Sequence, residues 1–148
     1  MEDSANKSID ILIVEDNSGD ARLMTEVLKD NRISNNLYVV KDGVEAMNFL
    51  YKKAPFSEVP YPDLIILDLN LPKKDGREVL AEIKSDNDLK KIPVVIMTSS
   101  QSQEDILKTY NLHANCYITK PIDLNQFMKV VKSIEDFWFT IVKLPEKE

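Results

Sequence analysis

The sequence predicts an α/β domain in which a doubly wound parallel sheet of five strands is covered by five helices. Short runs of Ile, Leu and Val recur along the chain, and each is followed by a stretch whose apolar residues fall at helical spacing. Strands this short and this apolar are buried on both faces, the condition of a parallel strand lying between two helix layers. Right-handed crossovers leave few other ways to join such a series. A third observation is how the runs end: the first on Glu15-Asp16, the third on Asp68, the fourth on Thr98 and the fifth on Lys120. The C-terminal tips of such strands share the edge where open α/β sheets hold their ligands.

The first strand is Ile9 to Val14, interrupted only by Asp10 and closed by Glu15-Asp16-Asn17. Ser18 is a good N-cap for the helix that follows, with Ala21, Met24 and Leu28 on one face and Leu23 and Val27 beside them. Asn35-Asn36 breaks that pattern, Leu37 to Val40 forms the second strand, and Asp42-Gly43-Val44-Glu45 opens a capped helix leading to Ala46, Phe49 and Leu50. The connection carrying Pro55, Pro60 and Pro62 is long for an αβ loop and marks an elaboration or a contact surface.

The third strand, Leu64 to Leu67, ends on Asp68 and is followed by Leu69-Asn70-Leu71-Pro72. Asp75 with Glu78 starts the third helix, whose core stripe is Val79, Leu80 and Ile83. After Pro93 the fourth strand runs from Val94 to Met97 and stops at Thr98-Ser99-Ser100. The fourth helix spans about 102 to 112 with Ile106, Leu107 and Tyr110 on its apolar side. Asn115 to Thr119 is a shorter fifth strand before Lys120-Pro121. Asp123 caps the last helix, which carries Phe127, Val131, Ile134, Trp138 and Ile141 until Leu144-Pro145 stops it. No internal repeat or low-complexity tract interrupts the series.

A chain of 148 residues suits one domain, placed at 9–143 between a flexible N-terminus at 1–8 and a short tail at 144–148. A net charge of −6 argues against nucleic acid and against an anionic membrane, since both demand a basic patch, and leaves proteins or cations as partners. The polar, acidic start is no signal peptide, no apolar run approaches a membrane span, and a cytoplasmic location follows. The lone Cys116, among strand residues, reads as a small core residue in a reducing compartment. His113 ends a helical pattern, where a polar residue faces the last carbonyls. Glycines at 19, 43 and 76 alone assemble neither a dinucleotide fingerprint nor a phosphate-binding loop.

The strand tips bring Glu15, Asp16, Asp68, Thr98 and Lys120 to one edge. Crowded carboxylates repel, and either a raised pKa or a bound cation relieves them. An oxygen-only donor set that leaves room for water suits Mg²⁺ better than Ca²⁺. The compact charge of Lys120 and the hydroxyl of Thr98 describe a receptacle for a phosphoryl group, and Asp68 is the natural nucleophile towards it. A single acid at a strand end is usually structural, because loops are solvated, but the ordered set is hard to explain that way.

These residues carry a resemblance. Ile11-Leu12-Ile13-Val14-Glu15-Asp16-Asn17, Leu67-Asp68-Leu69-Asn70-Leu71-Pro72 with Asp75-Gly76, Thr98-Ser99, and Tyr117-Ile118-Thr119-Lys120-Pro121 resemble the receiver domain of two-component response regulators over about residues 9 to 141. The resemblance implies a flavodoxin-like sheet in the order 2-1-3-4-5. It implies that Asp68 accepts phosphate from a histidine kinase, that Glu15, Asp16, Asp68 and the carbonyl of Asn70 bind Mg²⁺, and that Lys120 and Thr98 meet the phosphoryl group. Tyr117 is then the aromatic whose rotamer follows Thr98. Glu15 stands where an aspartate is frequent, and Ser99 where alanine is, which bears on metal affinity and on phosphoryl lifetime.

A narrower similarity lies in residues 69–80, in Leu112-His113-Ala114-Asn115-Cys116-Tyr117 and in Phe137-Trp138, which resemble the small response regulators of phytochrome-type histidine kinases. That group implies a stand-alone receiver, not an enzyme in its own right, that signals by protein contact and dimerises. Phe137, Trp138 and Phe139 are more aromatic surface than one helix face buries, which fits either an interface made by the fourth helix, fifth strand and fifth helix or a last helix wrapped into its own core. Two other classes stay open on sequence grounds. An aspartyl-phosphate phosphatase would carry a second Asp where Asn70 stands, and a degenerate receiver acting as a plain binding module usually lacks one of the site residues.

Overall fold

The computed structural model describes residues 8–29, 35–121 and 123–136. The chain alternates β1 (Ile9–Val14), α1 (Ser18–Lys29), β2 (Asn35–Val40), α2 (Gly43–Leu50), β3 (Leu64–Leu67), α3 (Gly76–Ser85), β4 (Val94–Thr98), α4 (Gln103–Asn111), β5 (Cys116–Thr119) and α5 (Leu124–Asp136). The five strands pair in parallel in the order β2-β1-β3-β4-β5, which confirms the expected fold. β1 and β3 are buried at every position.

Strand periodicity divides the core into two layers. Leu12, Val14, Ile65, Leu67, Val94 and Ile96 point to one face and pack with Phe49, Leu50, Val79, Leu80 and Ile83 of α2 and α3. Their neighbours Ile11, Ile13, Leu64, Ile66, Val95 and Met97 point to the other and pack with Met24 and Leu28 of α1 and Phe127 of α5. The long connection after α2 adds to the first layer: Phe56 and Val59 lie against it, and the Phe56 ring is 5.4 Å from that of Phe49.

Several expectations change. Asn35 and Asn36, expected as a break ahead of a strand beginning at Leu37, belong to the second strand and open it, in register with Ile9 and Asp10. Their side chains explain why: Asn36 Nδ2 donates to Asp10 Oδ1 at 3.0 Å and Asn35 Nδ2 to the Leu28 carbonyl at 2.9 Å. Asn17, one residue before Ser18, caps α1, its Oδ1 accepting from the Asp20 amide at 2.9 Å. The fourth helix does not bury the face expected of it. Leu107 is 64% and Tyr110 46% exposed, and Thr109 is its buried residue, because the helix turns Thr109 rather than the apolar pair inward. Cys116 is half-buried. His113 is exposed at φ 69 and ends α4, its amide donating to the Tyr110 carbonyl at 2.9 Å.

Asp75 caps α3 through a capping box with Glu78, and Asp123 Oδ1 accepts from the Asn125 and Gln126 amides at the start of α5. The side chains of Val131 and Ile134, and Phe137, Trp138, Phe139, Ile141 and the tail at 144–148, lie outside the described residues, as do residues 1–7 of the N-terminus. No helix among the described residues is long and apolar enough to cross a membrane.

Two glycines let the loop after β3 sit close to the sheet. A Cβ at Gly43 would lie 2.0 Å from the Lys74 carbonyl oxygen, and one at Gly76 would lie 2.2 Å from that of Asp68. Both clashes are with backbone, which cannot swing aside. Gly43→Ala and Gly76→Ala should each lose about 1–3 kcal/mol of stability in denaturant titrations; wild-type midpoints for both would mean that the loop is not seated on these positions.

Candidate functional site

At the C-terminal edge of the sheet the tips of β1, β3, β4 and β5 and the loops that follow bring together most of the residues singled out from the sequence. Glu15 and Asp68 are 2% and 5% exposed, and Thr98 is fully buried. Asp16, on the other hand, faces solvent. The fold holds these positions through main-chain bonds that continue the sheet: the Glu15 amide donates to the Val40 carbonyl, the Asp68 amide to Val14 and the Lys120 amide to Thr98.

Lys120 occupies the centre. Its Nζ lies 2.9 Å from Asp68 Oδ2, 2.7 Å from Glu15 Oε1 and 2.9 Å from Asp20 Oδ2. Burial opposes the charge on the lysine, yet the close contacts with the Glu15, Asp68 and Asp20 carboxylates outweigh it and raise its pKa above the ordinary lysine value. The Lys120–Pro121 bond is cis. Asp20 was not anticipated, although its place in the first turn of α1, three residues after Asn17, is a signal that could have found it.

Burial pushes the Glu15 carboxyl up to about 7, a shift that the contact with the Lys120 ammonium and the hydrogen bond from the Asn17 amide reduce and the charge of Asp68 reinforces. Its Oε1 is in ionic contact with Lys120 but has no aligned hydrogen-bond donor. Carboxylate oxygens of Glu15, Asp16 and Asp68 all lie within 4.8 Å of one another. A buried oxygen without an aligned donor, among three acids and with oxygen ligands alone, fits a hard divalent cation.

The other side of Asp68 is formed by the loop after β3 and the tip of β4. The Asn70 amide donates to Asp68 Oδ1 at 3.0 Å, so both Asp68 oxygens are engaged, one by Asn70 and one by Lys120. Asn70 Nδ2 reaches Thr98 Oγ1 at 3.4 Å and Ser99 Oγ at 3.2 Å. Tyr117 stands further out on β5, its hydroxyl donating to the Ser100 carbonyl at 2.9 Å. An ammonium and an amide thus hold a buried carboxylate that has acids near it, with the Thr98 hydroxyl one contact away through Asn70, an arrangement able to accept an anionic group on Asp68.

The sequence matches the family model for the response regulator receiver domain over residues 11–132. It is 50% identical over 145 residues to response regulator Rcp1 of Synechocystis sp., covering 98% of this chain and 99% of the relative. The fold is similar to the Mn²⁺-bound form of Rcp1, with a TM-score of 0.82 and 51% identity over 93% of this chain and 99% of that one. It is also similar to the phosphorylated cyanobacterial phytochrome response regulator RcpA, with a TM-score of 0.83 and 49% identity over 95% of this chain and all (100%) of that one.

Glu15 sets a pH dependence of its own. Its folded pKa is about 7 against an ordinary 4.5, so between these values the folded protein binds more protons than the unfolded one. Without added metal, stability should therefore fall as pH rises from 4.5 to 7, and Glu15→Gln should flatten that slope in thermal melts. A slope that survives the substitution would assign it to another group.

Proposed function

Because this chain belongs to the response regulator receiver family, we propose that Asp68 accepts a phosphoryl group from a phosphohistidine of a partner kinase. The observation that carries this reading is the Lys120–Asp68 contact at 2.9 Å inside a ring of acids. A lysine so placed orients the acceptor carboxylate and lies within reach of an incoming phosphoryl oxygen. In the transfer, an Asp68 oxygen forms the bond to phosphorus as the P–N bond of the donor breaks and the imidazole leaves with the electron pair.

The residues divide the charge between them. Lys120 meets one phosphoryl oxygen, and the Thr98 hydroxyl, now beside Asn70 and the Ser100 amide, turns to donate to another. Glu15, Asp16, Asp68 and the Asn70 carbonyl are the groups that would hold Mg²⁺, and the bound ion supplies neutralising charge for the phosphoryl oxygens. The burial of Asp68 limits the access of bulk water to the acceptor carboxylate.

The similarity to the phosphorylated phytochrome response regulator RcpA supports a phytochrome-type kinase as donor. Signal output would be a change of protein surface. Tyr117 links the Ser100 carbonyl of the β4–α4 loop to β5, and the exposed Leu107 and Tyr110 of α4 with Met128 of α5 offer an apolar face for a homodimer.

Beryllofluoride with Mg²⁺ mimics the phosphoryl group and tests the assignment. Calorimetry should show binding to the wild type and none to Asp68→Asn, and Lys120→Ala should weaken it by about tenfold or more. A wild type that never binds would instead make the protein a phosphorylation-independent binding module. Sedimentation should show a dimer that Leu107→Glu dissociates; a monomer with and without beryllofluoride would remove the homodimer.

A further inference from the structure

The phosphoryl site rests on two loops that share no covalent frame: the β3–α3 loop carrying Asn70 and the β4–α4 loop following Thr98. Asn70 itself reaches across to Ser99 Oγ at 3.2 Å, and a charged side chain makes a second connection. Arg77, at the start of α3, donates through Nε to Asp105 Oδ1 at 2.8 Å and through an Nη to Asp105 Oδ2 at 2.7 Å, a bidentate pair. Its other Nη donates to Asp75 Oδ1 at 2.9 Å and to the Leu69 carbonyl at 3.4 Å, one residue from Asp68 and one from Asn70.

Asp105 continues the connection from α4. Its Oδ2 accepts from Ser100 Oγ at 2.6 Å. Ser100 is in turn gripped through its main chain, with the amide directed at Thr98 Oγ1 at 3.4 Å and the carbonyl accepting from Tyr117 at 2.9 Å. The pair is mostly shielded, with side-chain exposures of 27% for Arg77 and 14% for Asp105. This is more than an exposed surface ion pair, whose worth is slight.

Resting on the phosphoryl reading of Asp68, we propose that Arg77 and Asp105 are positioning residues: a brace that fixes the β3–α3 and β4–α4 loops at the spacing from which Asn70 and Thr98 meet a phosphoryl group. Neither residue touches Asp68, so neither is catalytic. Their effect is preorganisation, since a donor held in place before the ligand arrives costs less ordering when it binds. The planar fork of arginine is what spans Asp105, Asp75 and Leu69 together, which a lysine cannot do.

Calorimetry on the full chain tests this, with Mg²⁺ alone and then with beryllofluoride at saturating Mg²⁺. Arg77→Ala and Asp105→Ala should each weaken beryllofluoride binding roughly three- to tenfold, and the double variant should be no weaker than either single one. Asp105→Asn, which keeps the side-chain size, should show a smaller loss in the same direction. The affinity for Mg²⁺ alone should fall by clearly less than that for beryllofluoride, because of its proposed ligands only the Asn70 carbonyl lies on a braced loop, while Glu15, Asp16 and Asp68 stand at the tips of β1 and β3. A merely structural pair would lower melting temperature and leave beryllofluoride affinity alone. The proposal is overturned if beryllofluoride binding is unchanged or tighter in the single variants, if Mg²⁺ affinity falls in parallel, or if the two losses add. Failure of the wild type to bind beryllofluoride would instead remove the phosphoryl reading on which the brace rests.

Discussion

The ammonium of Lys120 is the interaction on which the site depends. It is in contact with Glu15, Asp20 and Asp68, carboxylates brought from the tip of β1, the first turn of α1 and the tip of β3. Without it, buried acids a few ångströms apart would have to take up protons or separate. The geometry also explains the division of labour. The lysine neutralises one side of the cluster, while Glu15 Oε1 lacks an aligned donor and its carboxyl is raised, so the cluster keeps a capacity for a further positive charge.

The sheet makes this arrangement possible by ending its strands at one level. β1 and β3 pair in register from Ile11 with Leu64 to Val14 with Leu67, so Glu15 and Asp68 emerge side by side. β4 and β5 pair up to Thr98 with Thr119, which places Thr98 and Lys120 on the same edge. The loop after β3 is then drawn onto the sheet at Gly76 and against α2 at Gly43, where no side chain would fit. Ion pairs of Lys73 with Asp42 and of Lys74 with Glu82 flank that seat. A site made of residues distant in sequence therefore needs little flexible backbone to assemble.

How much of this could be read from the sequence follows from the range of each interaction. Runs such as Leu64 to Leu67 announce buried strands because their periodicity is local, and the residue after each run announces itself as a strand tip. Asp75 with Glu78 is equally local, and its capping box forms as the spacing indicates. The misreadings have tertiary causes. Asn35 and Asn36 look like a break, but a neighbouring strand and the end of α1 satisfy their amides. Leu107 and Tyr110 have core-like spacing, yet which face of a short helix meets the sheet is set by packing. Asp20 and Asp105 escaped notice because an acid in a first helical turn usually complements the helix dipole, and Arg77 because its acid partner Asp105 lies on another helix, 28 residues along the chain.

The central claim is that the buried carboxylate on β3 is a phosphoryl acceptor. Borohydride reduces an acyl phosphate to the alcohol, so reduction after exposure to acetyl phosphate and Mg²⁺ records where the phosphoryl group was attached. The account predicts homoserine at position 68, found by peptide mass spectrometry, and none in a sample that was not exposed to the phosphodonor. Modification at Glu15, Asp16 or another acid, or no modification under conditions in which the protein is folded, would contradict it.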